Sequence, residues 1–210
     1  MINSKMEQLG KKSSVIREIF EYAKKRRAEI GADKVFDFSI GNPSIPAPEA
    51  VNEAIRRLTA ECDPVALHGY TSAPGDLGVR GKIAESIKRR FGMEASAATI
   101  YMTCGAAASL TISLHAIVND GDEVVVLAPF FPEYRVFAEK AGATLTIVKC
   151  REGDFQIDFA ALEAAITPNT KAIIVNSPNN PSGVVLGEDT VKELTALLDK
   201  KQAQFGTSIS

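Results

Sequence analysis

From Thr99 onward the sequence repeats one pattern, a short apolar run bounded by turn residues and then a longer stretch with helical spacing. Thr99–Thr103, Glu123–Ala128, Ala143–Lys149 and Lys171–Asn176 read as strands, and predicted helices follow over Ala106–Val118, Pro132–Ala141, Asp158–Ile166 and Glu188–Lys201. Val124–Ala128 is continuously apolar, between Asn-Asp-Gly-Asp and a proline. A strand without polar alternation must be covered on both faces, and strand–helix alternation supplies the covering layers. Helical crossovers join strands in parallel, so the fold class is α/β, a largely parallel sheet flanked by helices.

The segment before this reads as a helical and extended arm. Residues 14–30 space Val15, Ile16, Ile19, Phe20, Ala23 and Ile30 for one helix, with Ser13 or Ser14 as cap and Gly31 as stop. Val35–Ile40 alternates like a short strand and runs into Gly41-Asn42-Pro43; after the prolines at 43, 46 and 48 comes a predicted helix over Glu49–Glu61. Pro64, Gly69, Pro74, Gly75 and Gly78 make residues 62–78 loop-like, and residues 79–92 form an amphipathic helix closed by Gly92.

Composition excludes several classes of function. A net charge of −2 gives no nucleic-acid signature, and Lys24-Lys25-Arg26-Arg27 reads as the solvated face of a helix beside Glu21 and Glu29. Cys62, Cys104 and Cys150 are odd in number and widely spaced, with only His68 and His115 besides, so neither a disulfide framework nor a zinc site is expected and a reducing cytoplasm fits. Met1–Gln8 lacks the apolar core of a secretory signal, and Val124–Phe131 is too short to span a bilayer, so a membrane role is not expected.

Three constellations can carry chemistry. Thr103-Cys104-Gly105-Ala106-Ala107-Ala108-Ser109 stands at a strand–helix junction, where small residues admit an anion to backbone N–H groups and the helix terminus favours negative charge. Tight packing of helix on strand demands the same small residues. Pro129-Phe130-Phe131-Pro132-Glu133-Tyr134 follows a buried strand at the end where parallel sheets bind ligands, so one ring can stack on a flat heterocycle and the other serve the core. Asn176-Ser177-Pro178-Asn179-Asn180-Pro181-Ser182-Gly183 is a proline-stiffened loop with an amide suited to a positioned hydrogen bond.

In order and spacing, Gly41-Asn42-Pro43, Tyr70 within HGYTSAPGDLGVR, Gly105-Ala106-Ala107, Phe131-Pro132 and Asn179-Asn180-Pro181-Ser182-Gly183 resemble the N-terminal part of the class I/II aminotransferases, the aspartate-aminotransferase-like group of fold-type I enzymes that use pyridoxal 5′-phosphate. The resemblance runs from about residue 13 to the end. It implies an N-terminal arm with part of a small domain over 1–45 and an incomplete cofactor-binding large domain over 46–210. It further implies that the backbone at Gly105, Ala106 and Ala107 holds the cofactor phosphate, Phe131 stacks on the pyridine ring, and Asn180 hydrogen-bonds its phenolic oxygen. Gly41 is expected near the substrate carboxylate. Tyr70 is expected at the phosphate of a neighbouring subunit's cofactor, which implies a homodimer with amino-acid and 2-oxo-acid substrates; packing on its own domain is the alternative.

The same resemblance sets expectations about what these 210 residues leave out. The family's aspartate for the pyridine nitrogen, its Schiff-base lysine and its carboxylate-binding arginine fall beyond Ser210, and no lysine here stands in a Ser-x-x-Lys-like context. The closing Phe205–Ser210 reads as a turn into a further strand, so the expectation is a truncated chain whose first 40 residues are poorly anchored. The alternative is a non-catalytic α/β module that binds a phosphate compound or a full-length partner subunit. A dinucleotide-binding domain is disfavoured because residues 103–109 offer one glycine where that fingerprint needs three.

Overall fold

The computed structural model describes residues 2, 4–11, 15–41 and 45–210, which divide into two units, Met1–Tyr70 and Thr71–Ser210. The expected caps Ser13 and Ser14, and Asn42 and Pro43 of the first motif, lie outside the described residues.

The first unit contains helices α1 (Ser4–Lys11), α2 (Val15–Ile30), α3 (Glu49–Glu61) and α4 (Pro64–His68), with a 3-10 turn at Ala32–Lys34 after α2. Gly31 ends α2 with φ +100, its N–H donating to Arg27 O at 3.0 Å. The fourth helix stands where a loop is expected, because Asp63 accepts from Ala66 N and Pro64 occupies the first turn, a pairing that starts helices. The strand expected over Val35–Ile40 does not form. Ser39 turns its N–H and hydroxyl onto Asp37 Oδ1 at 2.9 and 2.6 Å, a local bond that competes with a ladder, and Phe36 and Phe38 stay exposed. These two bonds from Ser39, with Arg27 nearby, hold the Asp37 carboxyl below the ordinary carboxylate range.

The second unit contains the sheet. Strands β1 (Glu123–Ala128), β2 (Thr144–Lys149) and β3 (Thr170–Ile174) run parallel in the order β2-β1-β3. Val124, Val125 and Val126 of the central strand are fully buried, as continuous apolarity requires. Pleating sends successive side chains to opposite faces and so separates two cores. Val125 packs with Leu162 of α8 (Phe159–Ala165) and with Leu194 and Leu197 of α9 (Glu188–Phe205). Val124 packs with Leu114 of α6 (Ala106–Ile117) and Ala138 of α7 (Glu133–Lys140). The result is a doubly wound, three-layer sandwich.

The first of the expected strands is absent. A 3-10 turn at Ala97–Thr99, closed by the Ser96–Thr99 capping box, takes its start. Beyond it Met102 N bonds Pro74 O at 3.0 Å, and residues 100–103 find no ladder partner among the described residues. Preceding this stretch, α5 (Leu77–Phe91) starts two residues earlier than expected because Asp76 caps it from Val79 N. Buried Arg80 fastens this helix, donating to Gly75 O at 3.1 Å and to Ala97 O. At the far end Gly206, φ +66, closes α9, and Ser210 bridges the outer edge of β3, donating to Lys171 O at 3.0 Å and accepting from Ile173 N at 2.9 Å. The chain after Phe205 therefore turns back onto β3.

Two surface carboxylates are expected to contribute to acid sensitivity in this unit. Asp154 is held low by its hydrogen bonds from Arg151, and Glu163 by that from Lys200 at 2.7 Å. A carboxyl whose pKa is lower folded than unfolded stabilises above its unfolded value, about 4, and loses that contribution as pH falls through the folded value. Thermal midpoints should accordingly stay level from about pH 7 to 5 and drop below about pH 4, with Glu163→Gln flattening part of the drop. A drop already complete at pH 5 would contradict this.

Candidate active site at the carboxyl edge of the sheet

The sheet collects the candidate groups by direction alone. Parallel strands end together, so the loops after β1 and β3 emerge side by side at the carboxyl edge. Helix α6 returns to the amino end of β1, where Val118 packs with Val124, and its 12 residues span about 18 Å, so its N-terminus faces that same edge.

The α6 N-terminus is open. Gly105 takes φ +96 and ψ 173 with no side-chain cap, and the first intrahelical bond runs from Ser109 N to Gly105 O at 3.1 Å. Among the described residues the N–H groups of Ala106, Ala107 and Ala108 meet no acceptor, and the side chains of Ala106 and Ala107 are exposed. Thr103 Oγ1 lies 2.6 Å from Ser109 Oγ and also donates to Gly105 O at 3.2 Å, which fixes the turn. That hydroxyl pair is a supporting element that sequence reasoning missed; its signal is the six-residue spacing of two small hydroxyl residues across the glycine.

After β1 the two phenylalanines part company. Phe130 lies parallel to Tyr134 with centroids 6.4 Å apart and joins Tyr134, Asn176 and Asn179 around a cavity of about 20 Å3, room for about one water. Phe131 meets Tyr134 edge to face at 5.7 Å; both phenylalanine rings are half-exposed, and Phe130 is the one on the cavity. Burial pushes the Tyr134 phenol above its ordinary pKa, so it stays protonated near neutrality.

After β3, Asn180 is exposed and its side-chain amide is without a partner among the described residues, while its N–H donates to Asn176 Oδ1 at 2.8 Å. Asn179 is the residue that binds the loops together, donating to Pro129 O at 2.9 Å. Phe131 and Asn180 are therefore carried by directly bonded loops. No hydrogen bond among the described residues joins either loop to the turn at 103–109. Gly41 and Tyr70 belong to the first unit; a Cβ on Gly41 would meet nothing within 4 Å, and Tyr70 is fully exposed.

An open helix terminus, a half-exposed ring and a free amide, all toward the carboxyl edge of a parallel sheet, define an α/β protein whose donors suit a flat, phosphorylated ligand. The chain belongs to the aminotransferase class I and II family, whose model matches residues 33–204. It is 35% identical over 158 residues to a probable aspartate/prephenate aminotransferase of Thermus aquaticus, covering 75% of this chain and 40% of that protein. It is 31% identical over 199 residues to a probable aspartate aminotransferase of Methanocaldococcus jannaschii, covering 95% and 49%. Among solved structures, an amino transferase from Eubacterium rectale superposes with a TM-score of 0.96 at 52% identity, covering all of this chain and 53% of that one. Aspartate aminotransferase from Thermus thermophilus with maleate gives 0.81 at 29% identity, covering 96% and 51%. The chain thus spans about half the length of the relatives it matches. Among the described residues no helix is long and apolar enough to cross a membrane.

Proposed function

We propose that this chain supplies the cofactor cradle of a pyridoxal-phosphate-dependent aminotransferase that moves an amino group between an amino acid and a 2-oxo acid. The observation that carries the reading is the unspent donor set, the uncapped N–H groups of Ala106 and Ala107 and the free amide of Asn180, all toward one edge of the sheet. Donors at an uncapped helix terminus match a dianionic phosphate in charge and direction, so the residues present fit the group. When bound, pyridoxal phosphate supplies an electron sink for charge developing on the substrate's α-carbon. Gly105 shapes the phosphate turn, Ala106 and Ala107 donate to the phosphate, and the Phe131 ring covers one face of the heterocycle. Asn180 donates to the phenolic oxygen, favouring its anionic form. Gly41 leaves room for the substrate carboxylate. Tyr70 reaches the phosphate held by a second copy, in a homodimer with shared sites.

The test is titration of the 210-residue chain with pyridoxamine 5′-phosphate, which binds without forming a bond to lysine. Asn180→Ala should weaken binding about tenfold, the size of a lost hydrogen bond to a charged acceptor, and leave inorganic phosphate affinity unchanged. Pyridoxal 5′-phosphate followed by borohydride should leave no stoichiometric adduct at a unique lysine. Equal affinity for inorganic phosphate and the cofactor would replace this reading with a general phosphate-binding module.

A further inference from the structure

One side chain ties the loop after β3 to the loop after β1, and it stands directly beside Asn180. Asn179 Nδ2 donates to the carbonyl oxygen of Pro129 at 2.9 Å and to Ser182 Oγ at 2.7 Å, so both amide hydrogens are spent. Its backbone is held as well: Asn179 N donates to Val184 O at 2.9 Å, and Gly183 N donates to Asn179 O at 2.7 Å. Pro129 precedes Phe131 by two residues, and 50 residues separate it from Asn179. Beneath the tie, Phe130, Tyr134, Asn176 and Asn179 close around a cavity of about 20 Å3, so the loops rest on one another with room for about one water.

We propose that Asn179 is a positioning residue whose carboxamide fixes the spacing between the Phe131 ring and the Asn180 amide. Its value to a ligand rests on the roles given above for Phe131 and Asn180. A group clamped between a stacking ring and a hydrogen-bond donor is sensitive to displacements of about 1 Å, so a rigid tie between the carriers of both bears on both contacts at once. Aspartate at 179 keeps the shape, removes both donors, and sets a carboxylate against the Pro129 carbonyl.

The experiment has an arm without ligand and an arm with it, both on the 210-residue chain. By NMR hydrogen exchange, the Asn179 side-chain protons should exchange at least about tenfold more slowly than those of Asn180. In Asn179→Asp, exchange at the Tyr134 N–H, which bonds Phe131 O at 3.0 Å, and at the Gly183 N–H should accelerate about tenfold, with Ser109 in α6 unchanged. Ser182→Ala keeps the bond to Pro129 and should leave Tyr134 unchanged. With pyridoxamine 5′-phosphate, Asn179→Asp should bind about tenfold more weakly and inorganic phosphate equally well. Unchanged Tyr134 exchange in Asn179→Asp overturns the proposal. So do Asn179 protons that exchange as fast as those of Asn180 in the unsubstituted chain, a result that needs no variant to fold. Failure of the unsubstituted chain to bind the cofactor form overturns the cofactor reading, whereas the exchange arm decides the tie by itself.

Discussion

Leu162→Ala is expected to destabilise residues 71–210 by about 3 kcal/mol, seen as a lower urea midpoint at an unchanged slope. Leu162 is fully buried and packs in one cluster with Val125, Ile157, Leu194 and Leu197, where strand and helices meet. Truncation removes the transfer free energy of the side chain and leaves a void that close-packed neighbours do not refill. A three-stranded sheet relies on this layer more than a broad one does, since β1 is the strand paired on both edges within it. The control is Leu58→Ala on α3, 45% exposed, which should shift stability by less than about 0.5 kcal/mol. A loss below about 1 kcal/mol at Leu162 would show that the cluster is not the stabilising core.

How far such effects can be read from sequence depends on whether the partner is local. Helix α3 falls at Glu49–Glu61 as predicted, and β1 at Glu123–Ala128, because apolar spacing along the chain suffices to define each. The alternation at Val35–Ile40 is equally strand-like, but a strand requires a ladder, and Ser39 gives Asp37 a nearer bond. Residues 100–103 fail for a related reason, with Pro74 O their one backbone partner among the described residues. The start of α4 was legible in Asp63-Pro64 and was masked by the surrounding glycines and prolines. Among the site groups, the turn at Gly105–Ala107 and the loop at 176–183 were visible as patterns, whereas the division of labour between Phe130 and Phe131 was not. Which ring lines the cavity follows from how each meets Tyr134, a matter of packing. Asn179 is legible in sequence as part of a stiff loop, but its reach to Pro129 crosses 50 residues and no spacing rule anticipates it.

Gly105→Ala is expected to lower stability by about 2 kcal/mol, while Gly41→Ala is neutral. Neither position is crowded, since a Cβ built at either glycine meets nothing within 4 Å. The difference lies in the backbone: Gly105 holds φ +96 and ψ 173, a region essentially closed to residues with a Cβ. An alanine there could relax by rotating the peptide that joins it to residue 106, which would turn the Ala106 N–H away from the open terminus. Two donors at a time resist that rotation: the Gly105 carbonyl accepts from Ser109 N at 3.1 Å and from one hydroxyl of the bonded Thr103–Ser109 pair, Thr103 Oγ1 at 3.2 Å or Ser109 Oγ at 3.4 Å. The turn should therefore retain its shape and keep the strain, so the effect falls on unfolding and inorganic phosphate affinity changes less than about threefold. Removing both hydroxyl donors as well, in Gly105→Ala with Thr103→Val and Ser109→Ala, should loosen the turn, recover part of the stability and weaken phosphate binding. Urea unfolding and phosphate titration of the two variants separate these responses. A Gly105→Ala chain as stable as the original, with phosphate binding intact, would mean that the positive φ is not required by the terminus it precedes.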